Sequence, residues 1–345
     1  MTVALDATYS LGGNLTGVGT YSREIAFGLA AAHPETQFLF CYRPHRWLRS
    51  WLESLPANTS RRLLTEERVP REAALFHGLN QRLPRAPVPP AVTTFHDLFV
   101  IIGEYSSPQF RQRFRRQALE AADRSERIIT VSEFTARQVR DLLGVEPARL
   151  RVVHHGVRLP AEVPGESQRE NVVLHVGAIQ IRKNLTRLVE AFERMEPGWR
   201  LVLIGSMGFG AEQILRRIEL SPRRASIQVL GYLKAAERDR WYARARIFAF
   251  PSLDEGFGMP VLEAMAWGVP VITSRVSALP EVAGDAARLV DPYDVEELAV
   301  ALRELAGDEA LRAEYAKRGR LRACGFRWED AVARTWDVYR ELADL

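Results

Sequence analysis

Two carboxylates stand eight positions apart in the segment Pro251-Ser252-Leu253-Asp254-Glu255-Gly256-Phe257-Gly258-Met259-Pro260-Val261-Leu262-Glu263-Ala264-Met265-Ala266. Between Glu255 and Glu263 lie two glycines that expose backbone amides, a proline suited to the first turn of a helix, and an apolar stretch that can bury that helix. The spacing predicts Glu255 in the loop before the helix and Glu263 about one turn inside it. Amides that converge at a helix N-terminus form a seat for an anion. Both carboxylates could then accept hydrogen bonds from sugar or ribose hydroxyls. A glycine-bearing junction from loop to helix is also ordinary punctuation when taken by itself.

A second candidate anion seat is Gly177-Ala178-Ile179-Gln180-Ile181-Arg182-Lys183-Asn184-Leu185. Two adjacent cations at a helix start oppose the helix dipole, an arrangement that makes sense when an anion sits there. Arginine grips phosphate with two parallel hydrogen bonds and lysine adds a point charge. Lys183 is one of three lysines in the chain. A third candidate is the loop Gly12-Gly13-Asn14-Leu15-Thr16-Gly17-Val18-Gly19. It has only a superficial likeness to a dinucleotide fingerprint, because Ser22 stands where the third glycine belongs. His96 follows a strand in Thr94-Phe95-His96-Asp97-Leu98, where Asp97 could orient it; a lone histidine there is open to a structural reading as well. The chain contains no Asp-x-Asp motif that would hold a divalent metal on a pyrophosphate.

These residues need a scaffold, and the alternation of strand and helix signals supplies one. It predicts an α/β protein with parallel sheets. Strands are expected at 3–6, 37–42, 73–77, 91–96, 127–132 and 151–153. After a Pro, Glu, Gly and Ser-rich stretch at 159–170, they are expected again at 171–177, 199–204, 227–230, 245–250 and 270–273. Helical apolar spacing covers 18–32, the stretch up to about 143, 185–195 and about 328–343. The expected domains are 1–160 and 170–327, and most candidate residues fall where strands end, which is where ligands bind in such sheets.

Composition is consistent with this. The 345 residues suit two domains, and 47% apolar with 26% charged residues is ordinary for a globular protein. Two cysteines, Cys41 and Cys324, are too few for a disulfide framework. No apolar run approaches the roughly 20 residues that span a bilayer, and the start of the chain lacks the pattern of a signal peptide, so a cytoplasmic protein is expected. Residues 1–160 carry 21 Arg, no Lys and 15 acidic residues, a balance of +6, whereas the rest of the chain stands at −2. Arg111, Arg113, Arg115 and Arg116 interleave with Phe110 and Phe114. That face reads either as a solvated arginine surface or as a contact for anionic lipid. No nucleic-acid partner is expected.

The motifs taken in order, Thr16-Gly17-Val18-Gly19-Thr20-Tyr21, Phe95-His96-Asp97-Leu98, Val131-Ser132-Glu133-Phe134, Arg182-Lys183-Asn184 and Glu255 to Glu263, resemble the retaining glycosyltransferases of the two-Rossmann-domain (GT-B) architecture, in particular family 4. The resemblance covers nearly the whole chain. It implies two Rossmann-like domains facing a cleft, with a last helix, 328–345, that packs back on the first domain. It further implies a nucleotide diphosphate sugar, held mainly by the C-terminal domain, as donor. The acceptor would be a saccharide or a lipid-linked sugar, with the inner face of a membrane as a candidate place to meet it. The implied catalytic residues are His96, Arg182, Lys183 and Glu255. Donor contacts fall on Gly17, Gly19, Gly205, Leu233, Phe257, Gly258, Met259, Pro260 and Glu263, and His154 and His155 fall in an interdomain turn. No cofactor and no metal are implied. Many family members carry Arg where this chain has Ala178, so Arg182 is the open candidate for that phosphate contact. The Arg-Lys-Asn variant leans toward GDP-mannose, with UDP-sugars close behind. A sugar-nucleotide epimerase or hydrolase on the same fold and a non-catalytic binding subunit remain as alternatives.

Overall fold

Thirteen strands form among the described residues, and every pairing between them is parallel. The protein was studied as a computed structural model that describes residues 1–13 and 15–343. In chain order the first elements are β1 (Thr2–Asp6), α1 (Gly17–Ala32), β2 (Gln37–Tyr42), α2 (Pro44–Ser50), β3 (Thr59–Leu63), β4 (Leu75–Gly78), β5 (Ala91–Phe95), α3 (Phe99–Ile102), α4 (Pro108–Arg124), β6 (Arg127–Thr130), α5 (Glu133–Leu143) and β7 (Leu150–Val152). There follow β8 (Glu170–Val176), α6 (Leu185–Glu193), β9 (Arg200–Ile204), α7 (Ala211–Glu219), β10 (Ile227–Gly231), α8 (Ala235–Arg244), β11 (Ala245–Phe250), α9 (Met259–Ala266), β12 (Val271–Ser274), α10 (Leu279–Ala283), β13 (Arg288–Val290), α11 (Val295–Gly307), α12 (Glu309–Cys324) and α13 (Trp328–Ala343).

The chain divides into two units, Met1–Gly156 together with the segment from Arg327 onward, and Val157–Phe326. The first holds a seven-stranded sheet in the order β3-β2-β1-β4-β5-β6-β7, the second a six-stranded sheet in the order β10-β9-β8-β11-β12-β13. Their central strands are buried on both faces, which is why Val172 to Val176 reads as an unbroken apolar run apart from His175. The two strands that sequence patterning does not reveal, β3 and β13, are sheet edges. β3 is Thr-Ser-Arg-Arg-Leu and β13 only three residues long, so neither carries an apolar signature.

Local chemistry closes the helices. The Ser132 side chain accepts from the Thr135 amide at the start of α5, and Gly144 ends that helix in the left-handed region. The Asp294 carboxylate caps α11 by accepting from the Glu297 amide at 3.0 Å. Gly17 and Gly19, expected in a loop, stand in the first turn of α1.

In the first unit the closing element is α13, which lies along α1. Its Tyr339 hydroxyl shares a 2.5 Å hydrogen bond with His77 Nδ1 on β4. His77 Nε2 meets Thr94 Oγ1 at 2.9 Å, and Thr94 in turn meets the Tyr21 hydroxyl at 2.8 Å. This buried polar chain ties β4, β5, α1 and α13 together, and burial pushes the His77 imidazole down to about 3, so it is neutral. Where the chain crosses between units, the Val157 amide donates to the Phe326 carbonyl at 2.9 Å. A Cβ on Gly156 would lie 2.3 Å from the Trp328 nitrogen, so only glycine fits at that close approach.

Tyr339→Phe keeps the ring and removes the hydroxyl that His77 faces. Because a buried imidazole nitrogen then lacks its partner, stability should fall by about 1–3 kcal/mol. Urea titration should show the loss as an earlier first transition, and an unchanged midpoint would mean that this bond does not secure α13.

Candidate active site

In the second unit the strand order runs outward in both directions from the β8–β11 pair, so the crossovers diverge there. Ligands in sheets of this kind bind at such a divergence, beyond the carboxyl ends of the strands. The loop after β8 carries Arg182 and Lys183, and the loop after β11 carries Glu255. β8 and β11 are hydrogen-bonded neighbours, so side chains 72 residues apart in sequence meet.

The three charges form one buried cluster. Arg182 Nη1 lies 2.9 Å from Glu255 Oε2, and Lys183 Nζ donates to Glu255 Oε1. Arg182 also donates to the Asp254 carbonyl, while its own carbonyl accepts from the Leu253 amide at 2.9 Å, so the two loops are strapped to each other. The Lys183 ammonium rests 4.5 Å from the centre of the Phe250 ring. All three side chains are at most 10% exposed. Burial pushes the Glu255 carboxyl up, but Arg182 and Lys183 outweigh it and hold the group at about 2. In this structure the anion beside these cations is the Glu255 carboxylate of the chain itself.

Asn184 explains how the cations are aimed, and spacing alone did not single it out. Arg182 and Lys183 occupy a 3-10 turn, Ile181–Lys183, rather than the first turn of α6. Asn184 adopts φ 60° between the two, and its Nδ2 donates to the Pro251 carbonyl at 3.0 Å and the Pro292 carbonyl at 2.6 Å. Asparagine tolerates the left-handed region better than most residues. The one available signal was its place directly after the Arg-Lys pair.

Glu263 lies on α9 as the proline placement predicts, with Gly258 at the N-cap and Pro260 in the first turn. Gly258 has φ 108°, a conformation that favours glycine, and a Cβ there would lie 2.7 Å from Leu279 Cδ2. Glu263 has its own partners: Tyr242 donates to Oε2 at 2.8 Å, and Arg238 approaches Oε1 at 3.5 Å. Burial raises its carboxyl, and Arg238 and Tyr242 offset only part of that. Tyr242 and Arg238, both on α8, were not foreseen; they sit in a helix whose sequence carries no motif.

The remaining named residues are spread over both units. Phe257 is buried with its ring edge against Phe326, at a centroid distance of 6.0 Å. Met259 opens α9, Leu233 is half-buried just beyond β10, and the Gly205 amide, beyond β9, donates to the Gly231 carbonyl at 2.8 Å. His96 belongs to the first unit. It is buried, its Nε2 donates to the Leu79 carbonyl at 3.0 Å, and burial lowers its imidazole to about 4. The Tyr21 ring meets it edge-on and the His155 ring stacks on it. Among the described residues no group of three or more His, Cys, Asp or Glu side chains is placed to hold a metal ion.

Comparison with known proteins decides the family. Residues 161–322 match the model for glycosyl transferases group 1, and residues 15–159 match that for glycosyltransferase family 4. An O-antigen chain mannosyltransferase B from Escherichia coli is 33% identical over 284 residues, covering 78% of this chain and 74% of that protein. The chain belongs to the group 1, family 4 glycosyltransferases. Among other family relatives, a D-inositol 3-phosphate glycosyltransferase from Kribbella flavida is 30% identical over 74% of this chain and 66% of its own. An MMP alpha-(1->4)-mannosyltransferase from Mycolicibacterium hassiacum is 30% identical over 69% of this chain and 57% of its own. A sucrose-phosphate synthase from Thermosynechococcus elongatus shares the GT-B fold with a TM-score of 0.81 at 22% identity, covering 99% of both chains. The HepE protein of Anabaena, solved with UDP and glucose, follows with a TM-score of 0.74 at 17% identity, covering 100% and 99%.

Four buried imidazoles set an acid limit for this glycosyltransferase. Burial holds His77 at about 3, His96 and His175 at about 4, and His155 well below its ordinary value. The unfolded imidazoles, near 6.5, take up protons before the folded ones do. Stability should therefore be full above pH 6.5 and fall as pH is lowered through it, by up to about 1.4 kcal/mol per pH unit for each imidazole. Glu255 adds a further loss below about 4.5, its unfolded value. Thermal melts at pH 7.5, 6 and 5 check this; equal midpoints would mean that the imidazoles are solvated.

Proposed function

We propose that the protein transfers a hexose, with mannose favoured, from a nucleotide diphosphate sugar to a saccharide or lipid-linked acceptor, with retention of anomeric configuration and without a divalent metal. The observation that carries the reading is the Arg182–Glu255–Lys183 cluster at the strand divergence of the second unit. Family membership supports reading it as a donor seat. In this reading Arg182 and Lys183 take the diphosphate, Arg182 standing in for the family arginine absent at Ala178. Glu263 takes the ribose, amides from Phe257 to Met259 approach the sugar and phosphate, and backbone near Leu233 meets the base. The mannosyltransferase relatives support mannose and a place in polysaccharide or glycolipid synthesis at the cell surface.

Glu255, the carboxylate a double displacement would use, is held by two cations in this structure, and in this reading it meets the donor sugar's hydroxyls rather than the anomeric carbon. The chemistry proposed is same-face substitution. The bond from the anomeric carbon to the phosphate oxygen breaks and the bond to the acceptor oxygen forms on the same face. The acceptor proton passes to the departing phosphate, whose charge Arg182 and Lys183 stabilise. Positioning and fixed charge supply the rate.

A peripheral membrane contact belongs to the same reading, and α2 carries it better than the arginine run of α4. In α4, Arg113 covers the Phe110 ring, and Arg111 and Arg116 pair with Glu104 and Glu120. Leu48 on α2 is 82% exposed, and just past the end of that helix Trp51 is 61% and Leu52 86% exposed. Arg46 and Arg49 sit on α2 itself, and Arg61 lies over the Trp51 ring. Exposed tryptophan and leucine beside arginine suit an anionic bilayer surface. No helix among the described residues is long and apolar enough to cross a membrane.

Lys183→Ala should weaken binding of UDP or GDP by about 1.5–3 kcal/mol and leave the parent nucleoside nearly untouched. Equal loss for both ligands by calorimetry would move the phosphate seat elsewhere. Turnover should persist in excess EDTA, and proton NMR should show an α-linked product from an α-linked donor. A β-linked product would sink the mechanism, and donor breakdown without any acceptor would point to a hydrolase or epimerase instead. Trp51→Ser with Leu52→Ser should abolish co-sedimentation with phosphatidylglycerol vesicles at low salt; unchanged binding would clear α2 of that role.

A further inference from the structure

We propose that Glu255 discriminates between ligands: its carboxylate competes with the diphosphate for Arg182 and Lys183 and yields the place only to a ligand that brings a sugar to receive it. The inference rests on the donor-seat reading above and adds to it a reason for the enzyme to hold nucleotide sugar and release nucleoside diphosphate.

The loop that carries the cations is held in place. Arg182 is tied to the Asp254 carbonyl through its guanidinium and to the Leu253 amide through its own carbonyl. The turn that bears both cations is pinned by Asn184 to Pro251 and Pro292. Lys183 is backed by the Phe250 ring. A diphosphate must therefore enter where the Glu255 oxygens now lie, one on each cation. Three anionic groups cannot share two buried cations without strong repulsion. The Glu255 backbone is held, since its carbonyl accepts from the Ala278 amide at 3.2 Å. What can give way is the side chain, which turns out of the seat.

A displaced, still ionised carboxylate is costly in a buried site unless hydrogen-bond donors meet it. In its place on the two cations Glu255 is ionised, because Arg182 and Lys183 hold its carboxyl at about 2. A donor sugar brings hydroxyls that can donate to it. A bare nucleoside diphosphate offers only phosphate oxygens on that side, which accept and repel. With the sugar attached, Glu255 exchanges one set of partners for another. Once the sugar has gone to the acceptor, the carboxylate is left with nothing and returns to the cations, driving the diphosphate out.

Calorimetry on the full chain with UDP, GDP, UDP-glucose and GDP-mannose tests this in wild type, Glu255→Gln, Glu255→Asp and Lys183→Ala. Glu255→Gln should bind the nucleoside diphosphate at least tenfold more tightly than wild type. Its affinity for the nucleotide sugar should change less, so the preference for the sugar-bearing ligand narrows, and product inhibition of any residual transfer should strengthen. Glu255→Asp, with a shorter reach to both cations, should lie between the two. A folded Glu255→Gln whose diphosphate affinity is unchanged or weaker overturns the proposal. Should that variant not fold, Glu255→Asp decides in the same way. Wild type that binds the bare diphosphate as tightly as the nucleotide sugar overturns it without any variant. Loss of diphosphate affinity in Lys183→Ala with no gain in the Glu255 variants sinks the discriminator alone. Retained affinity in Lys183→Ala removes the donor seat, and the discriminator with it.

Discussion

A charge cluster withdrawn from water is the constraint on which the second unit is organised. Taking Glu255, Arg182 and Lys183 out of solvent costs several kcal/mol per ion, and only close mutual contact with further hydrogen bonds offsets it. That contact requires two loops far apart in sequence to arrive at one point. It follows from placing β8 beside β11, from the left-handed turn at Asn184, and from the straps between the Arg182 and Asp254 segments. A core of aliphatic residues drawn from β8, β9, β11, α6, α7 and α11 fixes the strands beneath it. Packing thus sets the distances that electrostatics needs, and a shift of an ångström would leave a buried charge without its partner.

The first unit buries one ion pair of its own, Arg43 Nε 3.3 Å from Asp6 Oδ2, but ties its elements together by another device. Its central chain of Tyr21, Thr94, His77 and Tyr339 is neutral, held by hydrogen bonds rather than by ion pairs. A neutral network tolerates low dielectric at little cost when every member is satisfied, but it offers nothing to an anion. The second unit relies instead on the Arg182–Glu255–Lys183 cluster at its strand ends. The two sheets share a topology of diverging strands, and each buries an ion pair where strands end.

Much of this was legible beforehand where a residue's type conflicts with its bland role. Two cations expected at a helix start, and two glutamates flanking Gly-Phe-Gly-Met-Pro, stood out in the sequence, and the structure brings Arg182, Lys183 and Glu255 together in one cluster. The central strands were legible because burial on both faces demands unbroken apolar runs. The edges β3 and β13 were not, since half-exposed strands admit polar residues. Nor could spacing show that the cations already hold Glu255, or that Tyr242 and Arg238 face Glu263. Those contacts link separate helices and loops, and no local period encodes them. The exposed Leu48, Trp51 and Leu52 were equally silent, because an apolar helix residue reads as core until the fold shows what covers it.

The dependence of the first unit on α13 also bears on how the chain is made. Residues 1–156 leave the ribosome first, but the helix that covers α1 and supplies Tyr339 to His77 lies beyond Phe326. At typical elongation rates, the intervening stretch of about 170 residues takes roughly 10–30 s to synthesise. Through that interval one apolar helix face and one buried imidazole await partners not yet translated, while the second unit, whose segments are contiguous, can finish on its own. The first unit to be synthesised is therefore the last to be completed, and its waiting time is set by the length of the other.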